Sequence, residues 1–252
     1  MSIDASRVKA DIRKDLQDFR RKRAIVLSMS ALPIVYLAVA MILVLVLSPT
    51  KHGSGPIPTV PLLYLLLIPV MMPAIVASYS IVGEREQGTL EPLLTTPLRQ
   101  QELILGKAAA VMIPTLALSY TVFVLFLAFV KLFAPSVTAS LVFHDGPALL
   151  SLLLFTPLLA GWSISVGLAA SVRASEARVA QQLASLTSFP AIGVVVIMMI
   201  GLLHPHFAVA IGFGAGLLLI DALVLRLTIW MFSRERLIVG STPTKTTVGE
   251  IL

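Results

Sequence analysis

One charged segment stands out in an otherwise apolar chain, and its chemistry is that of a docking surface. It opens with Glu84-Arg85-Glu86-Gln87-Gly88-Thr89 and ends at Gly106-Lys107. Charged residues punctuated by Gly and Pro cannot lie in hydrocarbon, because lipid offers no partner for their polar groups. The segment must therefore lie at the water interface, where we expect a cytoplasmic protein to bind it.

The residue order predicts a short helix inside this segment. Gly88 can end the preceding helix, Thr89 can cap a new one, and Pro92 falls in its first turn, where a missing N–H is tolerated. The new helix covers about residues 90–94 and lies along the membrane. Pro97 then stands early in a second helix that leads to Lys107.

The predicted short helix offers three leucines together with Glu91 and the charged residues that precede it, a composition suited to a groove on a soluble partner. The leucines would form the apolar anchor and the charged side chains the polar contacts. The expected partner-contact residues are Glu84, Arg85, Glu86, Gly88, Thr89, Leu90, Glu91, Leu93, Leu94 and Pro97.

Asp221 is the second candidate for chemistry, because an acidic side chain inside an apolar run is costly and therefore often functional. Arg226, five residues further on, lies on a different side of a helix and does not make a simple local pair. Asp221 can serve either a transport pathway or an interhelical pair, and the sequence leaves both open.

The other motifs do not predict catalysis. The four histidines, His52, His144, His204 and His206, lack the spacing of a known ligand motif, so no metal site is predicted. H-E-x-x-H and G-x-S-x-G are absent, which leaves a membrane-embedded hydrolase without a nucleophile or base. The chain also lacks G-x-x-x-x-G-K-[ST], so ATP would have to bind to another polypeptide.

The elements that position these residues are membrane spans. The chain is 57% hydrophobic and only 13% charged, which indicates an integral membrane protein and not a nucleic-acid-binding one, despite a net charge of +6. A span needs about 20 apolar residues. Six runs qualify: Ala24–Leu47, Val60–Val82, Ala108–Phe133, Ala148–Ser171, Leu183–Leu203 and Phe207–Met231.

Orientation follows from the basic residues, which concentrate on the cytoplasmic side of membrane proteins. With alternate loops assigned to one side, sixteen of the nineteen Lys and Arg residues fall there, together with both termini and the segment 84–107. We therefore expect a multi-pass protein of a prokaryotic plasma (inner) membrane with both termini cytoplasmic.

The chain divides into three predicted parts. Residues 1–23 form an amphipathic helix on the cytoplasmic surface of the membrane, with Ile3, Val8, Ile12, Leu16 and Phe19 on its apolar side. Residues 24–231 form the six-helix transmembrane domain, and residues 232–252 form a cytoplasmic tail. The predicted fold class is thus all-α.

At the charged segment the chain resembles the permease subunits of type 2 ATP-binding-cassette (ABC) exporters. The resemblance is carried by Glu84, Glu86, Gly88-Thr89-Leu90-Glu91, Leu93-Leu94, Thr96-Pro97-Leu98 and Gly106-Lys107. It implies a non-catalytic permease subunit that pairs with a second permease, as a homodimer, and with two ATPase subunits carrying ATP and Mg²⁺. The segment would be the coupling helix, and substrate would move outward by alternating access.

A secondary transporter driven by an ion gradient is the alternative. It would need intramembrane carboxylates and usually internal repeats, of which the chain offers only Asp221 and no repeat. The sequence does not specify whether the substrate is a lipid, a drug, a peptide or an ion.

Overall fold

The computed structural model describes residues 12–13, 17, 23–47, 60–89, 100–199 and 207–231. The regular structure in these ranges is helical, which confirms the predicted all-α class. The helices are α1 (Arg23–Leu47), α2 (Val60–Tyr64), α3 (Leu67–Glu86), α4 (Gln100–Phe133), α5 (Ser136–His144), α6 (Gly146–Arg173), α7 (Ala177–Met199) and α8 (Phe207–Met231).

Four stretches in the described ranges are long and apolar enough to cross a membrane. They are Val60–Glu86, Gln101–Phe133, Gly146–Arg173 and Ala177–Met199, and they correspond to predicted spans two to five. Helix α1 contains a shorter apolar stretch, Ala31–Val46. Helix α8 has the bounds predicted for span six. The total of six crossings stays a prediction.

Helix α4 starts at Gln100, ahead of the span predicted from Ala108, which confirms that a helix leads through Lys107 into span three. Helix α7 starts at Ala177, six residues before the predicted start at Leu183. The prediction followed hydropathy, which marks where a helix becomes apolar and not where its backbone hydrogen bonds begin. Helix α5, which lies in a predicted loop, was not predicted.

A proline explains the break between α2 and α3. Pro69 has no N–H to bond the carbonyl of Leu65, and its ring crowds that carbonyl. The Leu65 carbonyl instead accepts a hydrogen bond from the N–H of Ile68 at 3.1 Å. The N–H of Leu65 donates to the Leu62 carbonyl at 3.2 Å. The helical hydrogen bonding of span two is thus interrupted at residues 65–66, one turn before Pro69.

Helix α6 is at the centre of the bundle and contacts α3, α4, α7 and α8. Gly167 allows close packing on α3, because a Cβ at that position would lie only 2.8 Å from the Ala74 carbonyl oxygen and 2.8 Å from the Ala77 Cβ. Large apolar side chains such as Phe155 and Leu159 fill the rest of the core.

Helix α8 packs on α6 at intervals of seven residues. Gly214 lies against Leu154, Asp221 lies against Gly161, and the Thr228 hydroxyl donates to the Ser165 carbonyl at 3.3 Å. These contacts advance along both helices in the same direction, so α6 and α8 are parallel. Alternate spans of a serial membrane bundle run in the same direction, as this pair does.

Candidate functional site

The charged segment leaves the bundle at a well-defined helix end. The N–H of Thr89 bonds to the Glu84 carbonyl at 2.9 Å, and the N–H of Gly88 bonds to the Arg85 carbonyl at 3.1 Å. This is the Schellman arrangement, in which the residue after the C-cap is left-handed. Gly88 has φ of 68°, which confirms the prediction that it ends this helix.

Glu84 and Lys107 form an ion pair across the two ends of the segment. Glu84 Oε1 lies 2.9 Å from Lys107 Nζ, and the side chains are 16% and 2% exposed. Glu84 belongs to α3 and Lys107 to α4, so the pair ties together the helices that enter and leave the segment. The sequence analysis included Glu84 among the partner contacts, whereas the structure turns it towards Lys107.

Arg85 and Glu86 contact the short link between α6 and α7. Arg85 Nη1 donates to the Ala174 carbonyl at 2.8 Å, and Glu86 Oε1 accepts the N–H of Ala177 at 2.9 Å. Ala174 caps the C-terminus of α6, and Ala177 is the first residue of α7. Each charge therefore suits the helix terminus it meets, a cation at a C-terminus and an anion at an N-terminus.

A buried serine holds the same end of α3 on α6. The Ser171 hydroxyl oxygen accepts the N–H groups of Ile81 and Val82, both at 3.0 Å. We call the region formed by Glu84, Arg85, Glu86, Lys107 and Ser171 the basal cluster. It gathers residues from three helices, of which the sequence analysis identified only those in α3 as site residues.

The basal cluster leads directly into an exposed stretch. The side chains of Glu86 and Gln87 are exposed, as are Gly88 and Thr89. The remaining predicted contact residues, Leu90, Glu91, Leu93, Leu94 and Pro97, lie outside the described residues, as does the predicted short helix. The described part of the site is therefore a hydrogen-bonded base that ends in the exposed residues 86–89.

Asp221 occupies a tight position between α8 and α6. Its Oδ2 lies 2.9 Å from where a Cβ on Gly161 would be, so the absent side chain of Gly161 makes room for the carboxylate. Oδ1 is buried and has no hydrogen-bond partner in the described part of the chain. Arg226 is exposed. This geometry leaves open whether Asp221 serves a pathway or an interhelical pair.

Helix α7 presents a polar face that the sequence analysis missed. Arg178, Gln181, Gln182 and Ser185 are exposed. They line an open groove of about 590 Å³ together with Leu186 and Phe189. The spacing of three, four and seven residues signals one helix face. Hydropathy places residues 178–182 in a loop, because the apolar run begins at Leu183.

The described histidine makes a local contact. His144 lies at the end of α5, and its Nδ1 is 2.8 Å from the Ser140 carbonyl oxygen. The other three histidines lie outside the described residues. In the ranges that the structure covers, no three residues among His, Asp and Glu converge as metal ligands would.

Comparison with known proteins gives one family. A family model described as "ABC-2 family transporter protein" matches residues 12–171, which is more than half of the chain. The match includes the whole charged segment and the parts of the basal cluster contributed by α3, α4 and α6. No curated protein matches the chain significantly.

Proposed function

Because the chain belongs to the ABC-2 transporter family, we propose that it is the permease subunit of an exporter driven by a separate ATPase. Family membership itself makes the chain a membrane transport subunit. Outward direction, alternating access and the identity of the partners are the parts that we add.

The observation that carries the proposal is the Glu84–Lys107 ion pair, which joins the two ends of the charged segment and in which Lys107 is buried and Glu84 largely buried. Because the pair joins α3 to α4, movement at either end of the segment would be passed to both helices. Force applied to it from outside the membrane would therefore reach the spans. A transporter without its own nucleotide site requires such a mechanical connection between a docked ATPase and its spans.

In this scheme the ATPase subunits hold ATP and Mg²⁺, and this chain holds neither. The leucines at positions 90, 93 and 94 enter a groove on the ATPase, and Glu91 contacts its rim. ATP binding draws two ATPase subunits together. The permease halves then shift between inward-open and outward-open states, because ATP favours one of the two conformations.

The polar face of α7 supports pairing with a second permease, most simply a second copy of this chain. The side-chain amides of Gln181 and Gln182 are exposed and would lack hydrogen-bond partners if they faced lipid, whereas α4 exposes apolar residues such as Val124 and Leu125. We propose that the α7 face meets the second permease and borders the substrate pathway.

The basal cluster is then cytoplasmic, since cellular ATP is cytoplasmic. The concentration of basic residues on this side supports the same orientation, in which both termini are on the cytoplasmic side of a prokaryotic plasma (inner) membrane.

Leu94→Asp is expected to reduce co-purification of the ATPase by about tenfold or more, because it places an unpaired charge in an apolar groove. The tagged chain would be purified from its own host and the bound ATP-binding-cassette subunit quantified by mass spectrometry. Leu94→Met is the matched control, since it keeps the apolar volume and should retain binding.

A gradient-driven transporter would give the opposite pattern. Buried Asp221 favours that alternative as a candidate ion-binding carboxylate. It predicts that no ATPase co-purifies with the wild-type chain and that transport in vesicles stops when the ion gradient is dissipated. That pair of results would contradict the proposal.

A further inference from the structure

We propose that Arg85 and Glu86 are positioning residues that fasten the start of α7 to the end of α3. Through them, movement of the coupling segment would reach the polar face of α7. This inference rests on the proposed function, because it concerns how the docked ATPase acts on the permease. It assigns these two residues to a contact inside the chain, where the sequence pattern assigned them to the partner.

The contacts bracket the link between α6 and α7. Arg85 Nη1 holds the Ala174 carbonyl at 2.8 Å, and Glu86 Oε1 holds the Ala177 N–H at 2.9 Å. Two adjacent residues at the end of one helix thus grip the end of a second helix and the beginning of a third. Ser175 and Glu176, which lie between the gripped positions, are exposed.

The route from the end of α3 to the polar face of α7 passes through few residues. Glu86 is followed by the exposed Gln87, and its partner Ala177 is followed after four residues by Gln181, the next turn of α7. The exposed segment and the polar face are therefore joined by one side chain and about one helical turn.

The apolar contacts of the start of α7 with α3 and α6 are made by small side chains, those of Ala177, Ala180 and Ala184. In the first half of the helix, the buried side chains are the small ones of Ala180, Ala184 and Ser188. Small side chains bury little apolar area, so they hold a helix weakly. The hydrogen bond that the Ala177 N–H donates to Glu86 should consequently have a large influence on the position of this end of α7.

The test uses the absence of cysteine from the chain, which allows one introduced thiol to report without background from the permease. Gln182→Cys places that thiol on the exposed face of α7. The rate of maleimide labelling would be measured in the reconstituted complex with the ATPase, with and without ATP and vanadate. The ATP-induced change in the labelling rate is then divided by the amount of ATPase bound to the permease.

Glu86→Ala, which removes the acceptor, is expected to reduce the ATP-induced change per bound ATPase by about threefold, because an exposed hydrogen bond to a charged group contributes less than a buried one. Glu86→Gln keeps an acceptor oxygen and should retain most of the change. Gln87→Ala, at the next and exposed position, is the matched control and should behave as the wild type.

Two results would overturn the inference. One is that Glu86→Ala loses ATPase binding in proportion while the change per bound ATPase stays constant, which would make Glu86 a partner contact. The other is an equal loss in Glu86→Ala and Gln87→Ala. Failure of the proposed function itself would look different, because the wild-type chain would then bind no ATPase.

Discussion

Replacing Lys107 with methionine is expected to lower the free energy of unfolding by about 3 kcal/mol, because it leaves Glu84 without the cation that it faces at 2.9 Å. Methionine fills a similar volume, so the loss reports charge and not a cavity. The measurement is thermal or denaturant-induced unfolding of the purified protein in detergent.

Lys131→Met is the matched control for this change. Lys131 lies near the other end of the same helix and is exposed, so its replacement should alter stability by less than about 0.5 kcal/mol. A double-mutant cycle with Glu84→Gln isolates the interaction, since residues in contact show non-additive effects. Equal, small effects of Lys107→Met and Lys131→Met would contradict a stabilising role for the pair.

The same substitution has a functional consequence in the proposed scheme. The ion pair joins the two helices that flank the coupling segment, so its loss should uncouple ATP hydrolysis from transport even where the protein still folds. Stability and coupling can be separated by the charge swap Glu84→Lys/Lys107→Glu. The swap keeps two opposite charges facing each other, but it places the positive charge on α3 and the negative charge on α4.

The sequence predicted those features that depend on local physics. Span positions follow from hydrocarbon thickness and helix rise, and four of the predicted spans are found as long apolar helices. Gly88 was predicted as a helix stop because a left-handed residue at that position is largely a property of glycine.

Contacts between distant residues could not be predicted in the same way. Glu84 and Lys107 both belong to the family-like pattern, but a separation of 23 residues in the sequence carries no signal that they pair. Arg85 and Glu86 were predicted as partner contacts because charge at a membrane surface looks alike whether it meets another protein or the next loop of the same chain. The backbone groups of Ala174 and Ala177 that they bind have no side-chain signature.

The start of α7 shows a further limit of hydropathy. Gln181 and Gln182 were assigned to a loop because they are polar, although they are helical. A polar residue near the end of a span is compatible with a loop, an interface or a pathway. Only the helical spacing of 178, 181, 182 and 185 favours a single face, and that signal is weak over so few residues.

Gly167→Ala is the second change with a large expected effect, because it inserts a methyl group where α3 and α6 are closest. The new Cβ would meet the Ala74 carbonyl oxygen and the Ala77 Cβ, each at 2.8 Å, so backbone has to move. Overpacking of this kind costs about 1–3 kcal/mol. The loss should appear as a lower unfolding temperature of the purified protein.

Gly193→Ala provides the matched control, and the two substitutions should have opposite signs. A Cβ on Gly193 meets nothing within 4 Å, so the change mainly improves helix propensity, by up to about 1 kcal/mol. Because both positions lie inside long apolar helices, the propensity gain is shared and cancels in the comparison. What remains is the cost of separating α3 from α6. If Gly167→Ala were as stable as Gly193→Ala, the close approach that positions Ser171 and the basal cluster beneath it would be wrong.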